Sequence, residues 1–403
     1  MRNNRILIAG AGIAGPALAY WLTRHGFSPT VVERAAAARP GGQAIDVHGQ
    51  ALQVIDRMGL LESVRAAETG IRGMSFVDGR GKTLASTTAF SLTGGDHEGP
   101  DVELMRSDLM DLLIAASGEA CEYVYGDALA SVEDTGAEVK VTFTSGTTRE
   151  FDLVVGADGV NSVTRAQVFD PRTYRVDRLG RYIAIATIPN FLNQERWEIF
   201  HAAGPDRRVC YFAGRSSTRV MFTKTDPDLT VERMSVSEQR ALLRSHFGTD
   251  GWHTPRLLAE AAATDEFYFD DLRQVKMDTW SAGRVALVGD AAHCASPASG
   301  LGTSLALVGA YALAGELGAS VDDHAAAFAR YERRMRPFVT ACQDRARAGG
   351  NLYITKPRFW LQMQQIRLSN LPVLRSAMTR RTAGDKHQIA NTVELPHYAH
   401  TTT

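Results

Sequence analysis

Residues 289–304 read GDAAHCASPASGLGTS and follow the apolar run Arg284-Val285-Ala286-Leu287-Val288. An acid at Asp290, at the mouth of a buried strand, needs a partner that offsets its desolvation. The glycines and alanines after it imply that something large lies against the backbone. A second chemical pattern stands near the start: Gly10, Gly12 and Gly15 form G-x-G-x-x-G directly after Arg5-Ile6-Leu7-Ile8-Ala9. In such a unit Gly10 makes the tight turn, Gly12 lets backbone approach a pyrophosphate, and Gly15 permits close helix packing. Glu33, ending the next apolar run, is placed to accept from a ribose hydroxyl, with Arg34 beside it. A carboxylate on a free 2′-OH suits the adenosine of NAD or FAD better than NADP. The sequence carries one such fingerprint, so one tightly held dinucleotide is expected.

These residues need particular elements to position them. A strand over 5–9 turns into a helix reaching about His25, with Pro16 in its first turn and Gly26 as its stop. Strand Thr30-Val31-Val32 delivers Glu33. A further buried strand, Asp152-Leu153-Val154-Val155, leads into Gly156-Ala157-Asp158-Gly159, where Asp158 is able to cap the helix that follows. Thr303–Leu317 reads as a nearly all-apolar buried helix, and 324–349 as a long helix bracing two domains.

Between these parts the pattern becomes short strands at 181–189, 196–202, 208–214 and 218–224, as in a sheet packed on one side and lining a pocket on the other. Trp197, Tyr211, Phe212 and Phe222 are the pocket candidates, with Phe200 and Met221 beside them. Alternation alone does not choose the face. A hairpin over 73–95 turns at Gly79-Arg80-Gly81, and Ser235–Gly248 is an amphipathic helix.

Composition narrows the function. Lys+Arg 44 against Asp+Glu 45 gives no basic surface for nucleic acid. The cysteines Cys121, Cys210, Cys294 and Cys342 lie far apart, without CxxC or metal spacing, which fits a reducing cytoplasm and predicts no metal site. Arg2 and Arg5 before the apolar run Ile6–Leu22 imitate a secretory signal, but three glycines and a proline interrupt it. No segment approaches the ~18 uninterrupted apolar residues of a membrane span.

With the fingerprint, Asp158-Gly159 and Gly289-Asp290 in this order, residues 5–345 resemble the group A flavin-dependent (aromatic hydroxylase-type) monooxygenases. Compact members of that family inactivate tetracyclines or tailor natural products. The resemblance implies an α/β fold: a Rossmann-like FAD-binding domain over 1–72, 96–175 and 270–322, a β-sheet substrate domain over 73–95 and 176–269, and a C-terminal helical segment over 323–403. It implies that Asp290 meets the ribityl chain of FAD, and that Pro297, Gly300, Leu301 and Gly302 bring a loop and helix start to the flavin ring. Ala14, Asp46, Arg106 and Asp158 carry over as further cofactor residues, and Arg39 as the position of a basic residue tied to NADPH encounter. Thr303-Ser304 and Gly309-Ala310 replace an Asn and an Asp-Ala that many relatives carry on this helix.

The activity implied is hydroxylation of an aromatic or polycyclic small molecule by NAD(P)H and O2, through a C4a-hydroperoxyflavin, in a monomer or homodimer. No catalytic acid–base side chain is assigned, because an ionised phenol or an indole supplies its own electron density. His293 reads as a packing histidine and Cys294 as a small filler. Tetracycline-type antibiotic inactivation and a non-catalytic flavin or drug-binding protein are the alternatives. The W-x-W-x-I-P signature of flavin halogenases is absent from the sequence.

Overall fold

The computed structural model describes residues 4–37, 42–91, 95–96, 100–231, 234–320, 322–348, 356–370 and 386–398. A six-stranded sheet runs in the order Ser281–Ala282, Val285–Leu287, Leu153–Gly156, Arg5–Ala9, Ser28–Glu33, Glu122–Tyr125. Its strands pair in parallel except at Ser281–Ala282. Alternation along Arg5–Ala9 splits two cores. Ile6 and Ile8 enter the large core that contains helices Ala14–Arg24, Arg106–Ser117 and Gly302–Gly318. Leu7 and Ala9 meet the antiparallel sheet Leu129–Asp134, Val139–Phe143, Thr148–Phe151 on the other side.

A seven-stranded sheet has the order Phe267–Met277, Tyr174–Thr187, Thr218–Thr225, Arg207–Ala213, Trp197–His201, Met74–Val77, Thr83–Thr87. Its last pair is the hairpin, and Asp78 Oδ1 accepts from the Arg80 and Lys82 amides to hold the turn. Tyr174–Thr187 starts earlier than the apolar pattern at 181–189 shows, because its first half crosses from the large core and is polar. Its partner Phe267–Met277 makes the same crossing, with Val275 in the large core and Phe269 in the sheet's own.

One face of this sheet is closed by Val236–Phe247 and Thr254–Ala263, whose Leu243, Phe247, Leu257 and Ala261 pack on Tyr182, Tyr211 and Phe222. Ser235 and Glu238 form a reciprocal cap at the start of the first helix. On the other face, helix Lys356–Leu368 covers one end, setting Phe359, Met363 and Ile366 against Phe76 and Phe200. The rest of that face is open. Helix His324–Ala348 buries Phe328, Tyr331, Met335 and Phe338 in the large core, which includes Gly302–Gly318. Among the described residues no helix is long and apolar enough to cross a membrane.

Candidate active site

The fingerprint turn is set by contacts that exclude side chains. Gly10 has φ +107°, and a Cβ there would stand 2.6 Å from the Ala157 carbonyl oxygen. A Cβ on Gly15 would stand 2.0 Å from the Gly10 carbonyl oxygen. Glu33 Oε2 accepts from the Ala11 amide at 2.9 Å and Oε1 from Ala35 at 3.0 Å, so the acid is fixed beside the turn. Gly10, Gly12, Glu33, Arg34, Arg106 and Asp158 line a cavity of about 240 Å³. Asp158 also braces the start of the next helix, whose N-cap is Ser162: Oδ2 accepts from the Thr164 amide and hydroxyl, and Oδ1 from Ser162 Oγ.

A larger cavity, about 560 Å³, shares Gly12, Arg106, Ala157 and Gly159 with the first. Ala14, Asp46, Asp290, Pro297, Gly300 and Gly302 line it. Strand Val285–Leu287 delivers Asp290 through Gly289, whose φ of +63° turns the chain where a Cβ would stand 3.0 Å from that of Ala14. Asp290 is open to the cavity yet set deep in the protein. Desolvation raises its carboxyl above the usual carboxylate range, against the opposing pull of Cys294 and Arg106. Ser296, also lining the cavity, holds φ +77°, a backbone state that non-glycine residues rarely adopt and that clusters at functional sites.

The wall beside Gly300 comes from a distant segment. Lys386 Nζ donates to Asp46 Oδ2 at 3.1 Å. His48 lies between acids, with Nε2 3.4 Å from Asp46 and Nδ1 2.9 Å from Asp101. Burial alone would lower the His48 pKa; the Asp101 and Asp46 carboxylates beside its ring outweigh it and raise it.

The open sheet face forms the opposite wall. Arg181, Ile183 and Ile185 alternate on one strand, Arg219, Met221 and Thr223 on the next, and Phe212 follows. The register pairs Ile183 with Thr223 and Ile185 with Met221. Three pocket candidates are corrected by this register. Tyr211 and Phe222 have no exposed surface and face the helices, since neighbours along a strand point to opposite sides. Trp197 stacks where a Gly73 side chain would be, donates Nε1 to Ser75 Oγ at 2.8 Å, and does not line the cavity. Phe212 and Met221 do line it.

Other residues fall elsewhere. Leu301 is buried in the large core and lines neither cavity. Arg39 lies outside the described residues. His293 is buried against Trp280 and Tyr331, and burial lowers its pKa to about 3. Cys294 donates to the Arg273 carbonyl. Sequence reasoning missed Arg181, Arg219, Ile183, Ile185, Glu103, Arg345 and Lys386. Odd-numbered alternation at 181–185 and 219–223 was the available signal for the strand residues; for Lys386 there was none.

A model of the family described as FAD binding domain matches residues 3–346. The chain belongs to this family. Within the FAD binding domain family it is 46% identical over 336 residues to an uncharacterized protein of Mycobacterium tuberculosis, covering 83% of this chain and 90% of that one. It is 41% identical over 346 residues to a flavin-dependent monooxygenase from an unknown prokaryotic organism, covering 85% of this chain and 88% of that one. The crystal structure of tetracycline destructase Tet(55) superposes with a TM-score of 0.84 at 34% identity, covering 98% of this chain and 99% of that one. The protein is therefore an FAD-dependent monooxygenase with an α/β FAD-binding fold.

Proposed function

We propose that this enzyme uses NAD(P)H and O2 to hydroxylate an aromatic or polycyclic small molecule lying in the larger cavity. The observation that carries the reading is a single cavity with two unlike walls. One wall holds Asp46, Asp290, Pro297 and Gly300, and the other is the apolar floor of Ile183, Ile185, Met221 and Phe212.

The residues fit FAD. Two cavities meeting at Gly12 and Arg106 suit a two-part nucleotide, and the Gly10 and Gly15 contacts exclude a side chain along the turn. Glu33 would hold the adenosine ribose, Gly12 and Arg106 the pyrophosphate, and Asp290 the ribityl chain. When bound, FAD supplies electron transfer from NAD(P)H and the activation of O2 that makes one oxygen atom available for transfer. The chain's own part is to bind, orient and exclude water. Pro297 and Ser296 fix the loop before Gly302–Gly318, whose N-terminal dipole carries about half a positive charge toward the cavity. Ile183, Ile185 and Met221 present an apolar surface against which a flat ring excludes water. One NAD(P)H and one O2 are consumed per hydroxylated product, with one water released.

We assign 1–72, 96–175 and 270–322 to the cofactor, 73–95 and 176–269 to the substrate, and 323–403 to a C-terminal segment whose helix His324–Ala348 braces the two. We place the enzyme in the cytoplasm as a monomer or homodimer; its four cysteines, all free and buried, suit a reducing compartment. Likeness to a tetracycline destructase along nearly the whole chain favours tetracyclines as one substrate panel. The test is turnover of phenols, indoles and tetracyclines under isotopically labelled O2. One labelled oxygen atom in the product supports the proposal, and label only in water or peroxide refutes it.

A further inference from the structure

Resting on the reading that the larger cavity seats an aromatic substrate beside the cofactor, the geometry points to Arg219 as the residue that selects that substrate. We propose that its guanidinium binds an ionised oxygen, a carboxylate, phenolate or enolate, on the edge of a fused-ring aromatic lying on the Ile185–Met221 floor.

The placement follows from register. Arg219 shares its strand face with Met221 and Thr223, faces Phe212 across one strand pair, and faces Thr187 across the other. It therefore sits at one end of an apolar strip, where a planar ligand on the strip would end. The side chain lines the cavity while only 4% of its surface is exposed. Nη1 donates to the Gly42 carbonyl oxygen at 3.2 Å, and Nε is fully enclosed, like those of Arg165, Arg240 and Arg273, so a ligand in the cavity meets the guanidinium at its terminal nitrogens. A buried guanidinium is costly unless acceptors complete it.

The surroundings sharpen this. Arg273, equally buried, is paired with Asp270 at 2.8 Å and Asp271 at 2.9 Å. Arg165 spends its terminal nitrogens on the Ala291 and Val160 carbonyls, away from the cavity. Glu103, the acid whose field acts most on Arg219, already accepts from Thr69 Oγ1 at 3.1 Å. The larger cavity is lined by five cationic side chains and three carboxylates, one of which, Asp46, is held by Lys386. A planar guanidinium fork matches a carboxylate or enolate better than a lysine would.

The test uses the FAD-loaded enzyme and two probes, a hydroxynaphthoate and its primary amide, with binding read from perturbation of the flavin spectrum. The wild type is expected to bind the carboxylate at least about tenfold more tightly than the amide, the worth of one charge-assisted hydrogen bond. Arg219→Gln should keep its FAD and lose the preference, and Arg219→Lys should keep part of it. Equal binding of the two probes by the wild type, or binding of neither, overturns the proposal. Release of FAD from a folded Arg219→Gln assigns the guanidinium to the cofactor and overturns it too. Should Arg219→Gln fail to fold, the wild-type preference and its weakening in Arg219→Lys decide. Labelled-oxygen turnover by the wild type, run in parallel, tests the monooxygenase reading separately.

Discussion

Lys386 Nζ stands 3.1 Å from Asp46 Oδ2, a bond between residues 340 positions apart that closes the cavity wall next to Gly300. The FAD binding domain match ends at residue 346, so this wall is built partly from chain beyond it. Burial pushes the Asp46 carboxyl up, but Lys386 and His48 together hold it below the usual range. The ion pair is largely enclosed, and removing one partner leaves a buried charge. Lys386→Met should therefore destabilise the protein by about 2–4 kcal/mol in denaturant titration at neutral pH. It should also weaken FAD binding, measured by equilibrium dialysis. An unchanged denaturation midpoint would show the pair to be incidental.

The same cluster predicts a pH dependence. His48 has its pKa raised on folding, so its protonated form adds stability that is fully present below about 6.5, the unfolded value. That contribution is lost as pH rises through the folded pKa. Asp46 and Asp101, both lowered, work the other way: their contribution is present above about 3.8 and fades as pH falls through their folded values. Thermal melts of wild type from mildly acidic to alkaline pH should show a decline above about 6.5 that His48→Gln abolishes. Parallel curves for the two proteins would remove His48 from the account.

Neighbouring residues on one strand should separate stability from binding. Tyr211 is fully buried under the helices, with its hydroxyl donating to Asn190 Oδ1 at 2.6 Å, and Phe212 lines the cavity. Tyr211→Ala should cost about 3–5 kcal/mol in folding stability. Phe212→Ala should cost much less and raise KM for the aromatic substrate severalfold. The reverse pattern would mean that the register has been misread.

Asp158 offers a third separation. Its carboxylate accepts three hydrogen bonds that start helix Val163–Val168. Asp158→Ala should lower stability by about 1–2 kcal/mol, as for a lost helix cap. FAD release from a still-stable variant would instead make it chiefly a nucleotide ligand.

Much of this architecture was legible because the cofactor constrains backbone. Gly10 and Gly15 are forced by contacts that leave no room for Cβ, and such constraints are written as residue types at fixed spacing. Gly289 and Asp290 are readable for the same reason. The substrate wall was not: Tyr211 and Phe212 are equally aromatic, and only pairing to strand Thr218–Thr225 and cover by Val236–Phe247 decide which faces the cavity. Lys386 was invisible because nothing local marks a lysine that travels to Asp46. Nothing in the sequence separates Arg219 from an ordinary strand cation; its burial at the cavity does.

The most direct test of the account is the visible spectrum of the purified protein, loaded with FAD, as NADPH or NADH is added in air with and without aromatic compounds. The account predicts a flavin band that bleaches faster when a suitable aromatic is present and recovers as oxygen is consumed, with one oxygen atom gained by the product. A protein that takes up no flavin, or whose flavin neither nicotinamide bleaches under any condition, would contradict it.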